Sequence, residues 1–336
     1  MATSVSSIQV SPASRIGQRC PTSGFTGGIS DNCSSTVVKP AGTGLEESRG
    51  PLAIIATKFS PLASGDLLKV LHFYSPPTDN SSPYFVVTHH NGTGRKKYSH
   101  DPVIVLIRDI RGKESLFSLP VHSFQPFAWP AAIPYDLLED EKFMEVVHSS
   151  TREVLHHFLP NIQNVVVFDH TIRKASNTAE MNCPVRKVHI DQTPAAAIAR
   201  AKLHLSEEEY KAVAEEQVRP RIINVWRPLK PVYDHPLAVA ESDSVDSKNL
   251  VEFDHVYSDR VGQTYGVKYS AEQRYWYWSG MSPTEGLLLL CYDSGEINGG
   301  EEIKDVRCAH AAFEISKPEK DRKERESVEV RRLVIG

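Results

Sequence analysis

The segment from Val188 to Gln192 carries two potential metal ligands in one short run. Side chains two positions apart in an extended strand face the same side. His189 and Asp191 are therefore expected to point together, while Ile190 turns into the core. Two histidines and one carboxylate on one face of an octahedral metal leave three positions open, the arrangement typical of non-haem Fe(II) oxygenases. The pattern predicts two such ligands, with the third on a neighbouring strand.

The C-terminal region offers the third ligand and an anion-binding pair. His310 lies in an apolar run, where a histidine without a role is costly to bury unpaired. Arg325 and Ser327 share a face of the last strand, and a guanidinium with a hydroxyl suits a distal carboxylate. Taken singly, each motif has a non-functional interpretation. The His-x-Asp pair could arise by chance or be exposed to solvent, and Arg325 could be a solvated charge. The order His-x-Asp, distant His, Arg-x-Ser favours an Fe(II)/2-oxoglutarate oxygenase.

Other histidines compete less well for the metal. His170, His255 and the pair His89 and His90 have no comparable strand context. We interpret them as structural or surface residues.

Composition and charge exclude several other classes of protein. The 38 basic and 42 acidic residues give a net charge of −4, so the cationic stripe that nucleic-acid binding needs is not expected. The longest apolar run, Leu287 to Cys291, is too short to cross a bilayer. The N-terminus has neither a basic region nor an apolar region of the kind that forms a secretory signal, so we predict a cytoplasmic protein.

The chain changes character near residue 50. Half of the first 50 residues are Ser, Thr, Gly or Pro, a composition that buries too little apolar surface to order itself. We predict a flexible leader over residues 1–50, although a few aliphatic residues offer anchors on the domain, and a single domain over residues 51–336.

The remaining chain predicts an α+β, mainly β, fold. Apolar residues recur at helical spacing from Tyr135 to Phe158, and Thr193 to Glu216 indicates one or two helices with a capping box at Ser206 and Glu209. After Pro220 come many short strands separated by turn signals, which favour an antiparallel barrel or jelly roll with the helices on one face. No Gly-rich nucleotide motif occurs.

The chain resembles the fungal hydroxylase/desaturase family that includes gibberellin A4 desaturase-like proteins, relatives of the cephem methoxylase small subunit, and an enzyme that forms an aziridine from valine. The matching blocks are RDIRGKESLFSL (108–119), VVVFDHTIRK (165–174), VHIDQTP (188–194), RIINVWRPLKPV (221–232), YDS (292–294), AHAAF (309–313) and RESVEVR (325–331). The resemblance implies a double-stranded β-helix. One departure is Leu290, where a lysine is expected, so any contact made at that position in relatives is in doubt here.

The resemblance also implies residue roles. His189, Asp191 and His310 become the iron ligands, and Arg325 becomes the clamp for the C5 carboxylate of 2-oxoglutarate, with Ser327 assisting. The implied cofactors are Fe(II), 2-oxoglutarate and O2. The implied reaction converts 2-oxoglutarate to succinate while an unactivated C–H bond of the substrate is oxidised.

Candidate substrate contacts each have a structural alternative. Arg173 suits an anionic substrate, or is an exposed strand-end charge. Asn224 and Arg227 line the pocket or form a structural network. Three aromatic residues are expected either to reach the cavity mouth or to pack in the core: Tyr275, Trp276 and Phe313.

The function predicted is a dioxygenase of fungal-type secondary metabolism acting on a small molecule, such as an amino acid, a terpenoid or a peptide-derived compound. Hydroxylation, desaturation and ring closure such as aziridine formation all remain open outcomes. Two alternatives belong to other classes: a non-catalytic jelly-roll subunit that assists another enzyme, and a cupin-like metal enzyme that does not use 2-oxoglutarate. The oligomeric state is not predicted.

Overall fold

The computed structural model describes residues 64–79, 81–87, 94–174, 183–258, 260–295, 307–315 and 324–336. The predicted leader over residues 1–50 and the pair His89 and His90 lie outside these ranges. The division into leader and domain therefore stays a prediction. Within the described ranges, no helix is long and apolar enough to cross a membrane.

Strands dominate the described part of the chain. In chain order they are β1 (Leu67–Ser75), β2 (Tyr84–Val87), β3 (Gly94–Lys96), β4 (Ser99–Asp109), β5 (Phe124–Ala128), β6 (Asn164–Lys174), β7 (His189–Ile190), β8 (Pro220–Pro228), β9 (Leu237–Ala240), β10 (Leu250–Val256), β11 (Val261–Val267), β12 (Tyr275–Tyr277), β13 (Glu285–Asp293), β14 (His310–Ala312) and β15 (Glu326–Ile335). The mainly β fold expected from the sequence is confirmed.

The strands form two sheets. The large sheet has the order β1-β4-β12-β9-β14-β7-β11-β10-β2-β3, and the small sheet has the order β5-β13-β8-β15-β6. Apolar side chains of both sheets share one core cluster, with Val239 from the large sheet and Ile222, Leu289 and Leu333 from the small one. The sheets therefore face each other, as in a jelly roll.

In the described part of the chain, four α-helices flank the sheets: α1 (Leu119–His122), α2 (Phe143–Phe158), α3 (Pro194–His204) and α4 (Glu207–Ala214). The predicted helix from Tyr135 begins later, at Phe143, and a separate 3₁₀ turn covers Tyr135–Leu137. The second helical region is two helices, and α4 begins with the expected capping box of Ser206 and Glu209. Short 3₁₀ turns also occur at Glu114–Leu116, Ser242–Ser244 and Ser247–Asn249.

Alternation along β8 and β15 separates the two faces of the small sheet. Ile222 and Trp226 face the large sheet, whereas Ile223 and Val225 pack in a second cluster with Val154 and other residues of α2. Both faces are covered, so β8 and β15 are almost wholly buried. Polar side chains on the inner face of these strands are consequently held at fixed positions inside the fold.

Candidate metal centre

Two adjacent strands of the large sheet bring the three predicted metal ligands together. His310 of β14 pairs directly with His189 of β7, and Asp191 follows β7 at once. Ile190 is 1% exposed and packs in an apolar cluster on the opposite face of the sheet. The alternation expected for a His-x-Asp segment therefore points both ligands toward the small sheet.

The three side chains are close enough to share one ion. One ligand atom from each of His189, Asp191 and His310 lies within 4.8 Å of the others. His189 Nε2 is 3.3 Å from Asp191 Oδ1, and the two imidazole rings have centroids 4.4 Å apart. This spacing fits three ligands on one face of a small divalent metal.

Backbone carbonyls orient both imidazoles. His189 Nδ1 lies 2.8 Å from the Lys187 carbonyl oxygen, and His310 Nδ1 lies 3.1 Å from that of Cys308. A carbonyl only accepts, so each Nδ1 donates its proton and leaves Nε2 as the lone-pair nitrogen. Burial, and after it the neighbouring His189, lowers the pKa of His310 and favours its neutral form.

The side chains of Asn224 and Arg331 hold Asp191. Its Oδ2 accepts a hydrogen bond from Asn224 Nδ2 at 2.6 Å and one from Arg331 Nε at 2.9 Å, which leaves Oδ1 toward His189. Burial raises the pKa of Asp191, but the Arg331 guanidinium, followed by His189, lowers it by more, so the pKa lies well below its ordinary range. The carboxylate is thus held in the ionised form that binds metal.

Glu329 completes this hydrogen-bonded group. Its Oε1 accepts from Asn224 at 2.6 Å and its Oε2 from Arg331 at 3.3 Å. Arg331 also donates to Asp169 at 2.9 Å. Sequence reasoning missed Glu329 and Arg331, although the alternation that pairs Arg325 with Ser327 continues to both of them.

Asn224→Ala is expected to weaken Fe(II) binding by roughly 10- to 100-fold, the usual cost of losing a partner behind a metal ligand. The substitution removes the donor that Asp191 and Glu329 share, so the two carboxylates repel each other without that bridge. Anaerobic Fe(II) titration measures the change. Asn164→Ala is the matched control, because its amide also donates to a carboxylate at 2.6 Å, that of Glu209, between β6 and α4. Equal Fe(II) affinity in the wild type and Asn224→Ala would contradict the assigned role.

Arg325 is a buried cation with few partners. It is 2% exposed, its Nη1 donates to the His235 carbonyl at 2.8 Å, and Cζ lies 5.6 Å from the Trp226 ring centroid. Its Nε has no hydrogen-bond partner among the described residues. Burial, followed by the Arg173 guanidinium, lowers its pKa to about 9, so the group remains charged at neutral pH. Ser327 is 1% exposed and lies on the same face of β15.

Of the six candidate substrate residues, the structure brings two near this centre. Arg173 pairs with Ser327 across β6 and β15, and Asn224 bonds Asp191 as described. Arg173 Nη1 donates to the Cys183 carbonyl at 3.1 Å, and burial lowers its pKa.

The other four candidates lie elsewhere. Arg227 is on the opposite face of β8, where it donates to Ser150 and to two backbone carbonyls. Tyr275 and Phe313 pack in the apolar cluster that contains Ile190. Trp276 donates to Glu241 at 2.6 Å. The observed contacts of these four residues are those of a structural network for Arg227 and of packing or hydrogen bonding within the fold for the three aromatic residues.

Leu290 also faces away from the metal ligands. It is 2% exposed and belongs to the cluster that packs against α2. Leu290, which stands where a lysine is expected, therefore packs in the core beneath α2 and does not lie on the face that bears the metal ligands.

His255 is a further side chain that sequence reasoning set aside. Its pKa falls to about 4, chiefly through burial, with smaller contributions from Lys187 and His189, and its Nε2 lies 3.0 Å from Thr264 Oγ1. His255 lies on β10, which is two strands away from β7 in the large sheet. The sequence alone does not indicate this proximity.

Comparisons with known proteins agree with this geometry. Residues 71–335 match a family described as an oxidoreductase/YMDC permease-like domain. The Fe(II)/2-oxoglutarate-dependent dioxygenase nvfI of Aspergillus novofumigatus is 30% identical over 75% of this chain and 90% of its own. The hydroxylase/desaturase poxK of Penicillium oxalicum is 28% identical over 70% of this chain and 80% of its own. A solved structure of the iron and alpha-ketoglutarate-dependent endoperoxidase NvfI superposes with a TM-score of 0.71 at 26% identity, covering 82% of this chain and 99% of that one.

A jelly roll with a His-Asp-His cluster between its sheets defines a non-haem iron oxygenase scaffold. The chain belongs to the fungal hydroxylase/desaturase family of Fe(II)/2-oxoglutarate-dependent dioxygenases. It is an enzyme of secondary metabolism that acts on a small molecule, and its cofactors are Fe(II) and 2-oxoglutarate. The alternative of a non-catalytic partner subunit is not favoured.

Proposed function

We propose that His189, Asp191 and His310 bind the catalytic Fe(II), and that Arg325 with Ser327 binds the distal carboxylate of 2-oxoglutarate. The observation that carries this proposal is the orientation of the cluster. Both imidazoles donate from Nδ1 to backbone carbonyls, and Asp191 Oδ1 lies 3.3 Å from His189 Nε2. Three ligands of the right type thus converge before any metal is added.

The donor set fits Fe(II) and leaves room for its partners. Two neutral nitrogens and one carboxylate oxygen suit a borderline divalent metal, and a facial triad keeps three positions open. When bound, the metal with 2-oxoglutarate and O2 supplies the oxidising power for an unactivated C–H bond.

Arg325 fits the other end of the co-substrate. A buried guanidinium with an unpartnered Nε carries a charge that has left water without full compensation. A carboxylate compensates it through charge-assisted hydrogen bonds, and the Ser327 hydroxyl on the same face adds a donor. The Trp226 ring packs beside the guanidinium and excludes water from that end.

The remaining side chains act by orientation. Asn224 and Arg331 fix the rotamer of Asp191 and keep it ionised, while Glu329 holds both donors in place. Tight orientation of the ligands decides where the substrate carbon lies relative to the metal. The choice among hydroxylation, desaturation and ring closure then depends on which C–H bond or nucleophile is nearest, and the substrate classes proposed are an amino acid, a terpenoid or a peptide-derived compound.

The proposal extends to organisation and location. We propose one catalytic domain over residues 51–336 after a separate leader over residues 1–50, and a cytoplasmic location. The net charge of −4 supports a small-molecule substrate over a polyanion.

The test is an anaerobic spectrum. Adding 2-oxoglutarate to the Fe(II)-loaded protein is expected to produce a weak visible charge-transfer band, because the keto acid binds the metal at two open positions. Succinate, which lacks the keto group, is the control and should give no band. Bound iron without a band would contradict the chelation of 2-oxoglutarate and favour a cupin-like enzyme that does not use it.

A further inference from the structure

A lysine and two aromatic rings lie beside the proposed iron site. Lys187 comes two residues before His189 in the same extended segment, so both side chains face the small sheet. Phe253 of β10 and Tyr98, just before β4, lie around Lys187. We call Lys187, Tyr98 and Phe253 the lysine-aromatic wall.

Strand register places the wall on the ligand-bearing face of the large sheet. Gly266 of β11 pairs with His189, and Thr264, two residues before it, pairs with Phe253. Paired residues of neighbouring strands share a face, as do residues two apart. Phe253 therefore projects from the same face as His189, with only β11 between their strands.

The contacts within the wall are close. Lys187 Nζ lies 5.5 Å from the Tyr98 ring centroid, 5.4 Å from that of Phe253, and 3.5 Å from the Tyr98 hydroxyl. The two rings meet edge to face, with centroids 4.4 Å apart. A half-buried ammonium beside two rings combines a positive charge with an apolar surface.

Two imidazoles border the wall. His255 is 5.0 Å from Phe253 and His100 is 5.0 Å from Tyr98, measured between ring centroids. Burial, followed by the charge of Lys187, lowers the pKa of each to about 4. Both are neutral near pH 7, so they offer hydrogen bonds, and Lys187 adds a positive charge to this region.

We propose that the lysine-aromatic wall is the substrate-binding surface of this enzyme, and that its substrate is a carboxylate attached to an apolar, ring-containing skeleton. Lys187 pairs with the carboxylate, and the rings of Tyr98 and Phe253 pack against the skeleton. The inference rests on the proposed function, because the wall gains its meaning from lying next to the iron ligands. Lys187 is joined to one of them through its own carbonyl, which accepts from His189 Nδ1.

The experiment compares an acid with its neutral analogue on the intact protein. Mn(II) replaces Fe(II), 2-oxoglutarate is saturating, and the probes are 1-naphthoate and 1-naphthamide. Paramagnetic Mn(II) shortens the NMR relaxation times of ring protons that bind nearby. We expect an enhancement about tenfold larger for naphthoate, the effect of one well-placed charge pair. Equal enhancement of the two probes, including none for either, would overturn the proposal.

Variants identify the residue. Lys187→Met should reduce the naphthoate enhancement to the level of the amide, and Lys187→Arg should restore most of it. Lys113→Met is the matched control, since that ammonium lies 5.4 Å from the Trp276 ring, outside the wall. A naphthoate preference that persists in Lys187→Met would assign it to another cation and contradict the role of Lys187.

A first measurement separates this inference from the proposed function. Electron paramagnetic resonance counts the Mn(II) bound by the wild type and by each variant. Absence of bound Mn(II) in the wild type would contradict the His189, Asp191 and His310 site itself. Bound Mn(II) with no preference for the acid would contradict the lysine-aromatic wall alone.

Discussion

His310→Ala is expected to abolish Fe(II) binding and, with it, succinate release. The imidazole is 4% exposed, and its Nδ1 donates to the Cys308 carbonyl. Among the described residues, no further His, Cys, Asp or Glu joins this cluster to replace it. Loss of a direct ligand should cost more than the roughly 100-fold upper range for a partner behind a ligand. Anaerobic Fe(II) titration and succinate release measured by mass spectrometry report the two losses separately.

The control for this variant is a histidine outside the metal centre. His204 is half-buried at the end of α3 and packs against Phe168, with ring centroids 5.8 Å apart. His204→Ala should keep full iron binding. Thermal unfolding of the metal-free proteins verifies that His310→Ala still folds. A folded His310→Ala protein that binds Fe(II) and releases succinate at the wild-type rate would rule out His310 as a ligand.

The ligand triad was predictable because its signal is local. His-x-Asp spacing on an extended segment defines a shared face, and a histidine within an apolar run indicates a buried role. The pairing of His310 with His189 joins segments far apart in the chain. Only the order of the motifs, matched to a family, indicated that contact in advance.

Strand β1 was missed because its residues do not alternate between apolar and polar. β1 pairs with β4 along its whole length, yet Leu68 and Ile104, on the face opposite the apolar cluster of Leu71 and Ile107, are 68% and 67% exposed. A strand with apolar residues on both faces lacks the alternation that marks a half-buried strand. The sequence did not predict β1 as a strand.

The composition of the charged C-terminal run does not by itself predict its burial. The sequence from Lys317 to Arg332 has the composition of a solvated surface. In the structure Glu329 is 6% exposed and Arg332 is fully buried, because β15 lies between β8 and β6. Burial here depends on neighbouring strands, and buried polar groups gain hydrogen bonds to residues distant in the chain, such as the His148 carbonyl that accepts from Arg332.

The location of the aromatic candidates could not be predicted from the sequence for a related reason. Tyr275 and Phe313 are large and apolar, which predicts burial equally well in a core or in a pocket. Both are no more than 1% exposed in the cluster on the far side of the large sheet. The face that a residue occupies depends on the register of its strand, and one position of slip reverses it.

Arg325→Met is expected to weaken 2-oxoglutarate binding by about 30- to 4,000-fold, which corresponds to the roughly 2–5 kcal/mol lost when one partner of a buried charge pair is removed. KM for 2-oxoglutarate should rise, and kcat at saturating 2-oxoglutarate should change less, because Arg325 holds the end of the co-substrate remote from the metal. Selectivity is the sharper measurement. The wild type should strongly prefer 2-oxoglutarate to 2-oxovalerate, which lacks the distal carboxylate, and Arg325→Met should bind the two alike.

A second buried arginine provides the control that separates anion binding from stability. Arg227 and Arg325 are both almost fully buried, and the Nε of each is without a partner among the described residues. Among the described residues, the other nitrogens of Arg227 make three hydrogen bonds, to Ser150 and two carbonyls, whereas those of Arg325 make one, to the His235 carbonyl. Arg227→Met should therefore lower the melting temperature and leave 2-oxoglutarate affinity unchanged. Arg325→Met should weaken 2-oxoglutarate binding and leave the melting temperature nearly unchanged. Removing a poorly compensated cation costs the protein without 2-oxoglutarate little stability. Equal loss of stability with an intact preference for 2-oxoglutarate in Arg325→Met would make Arg325 a structural residue and move the co-substrate clamp elsewhere.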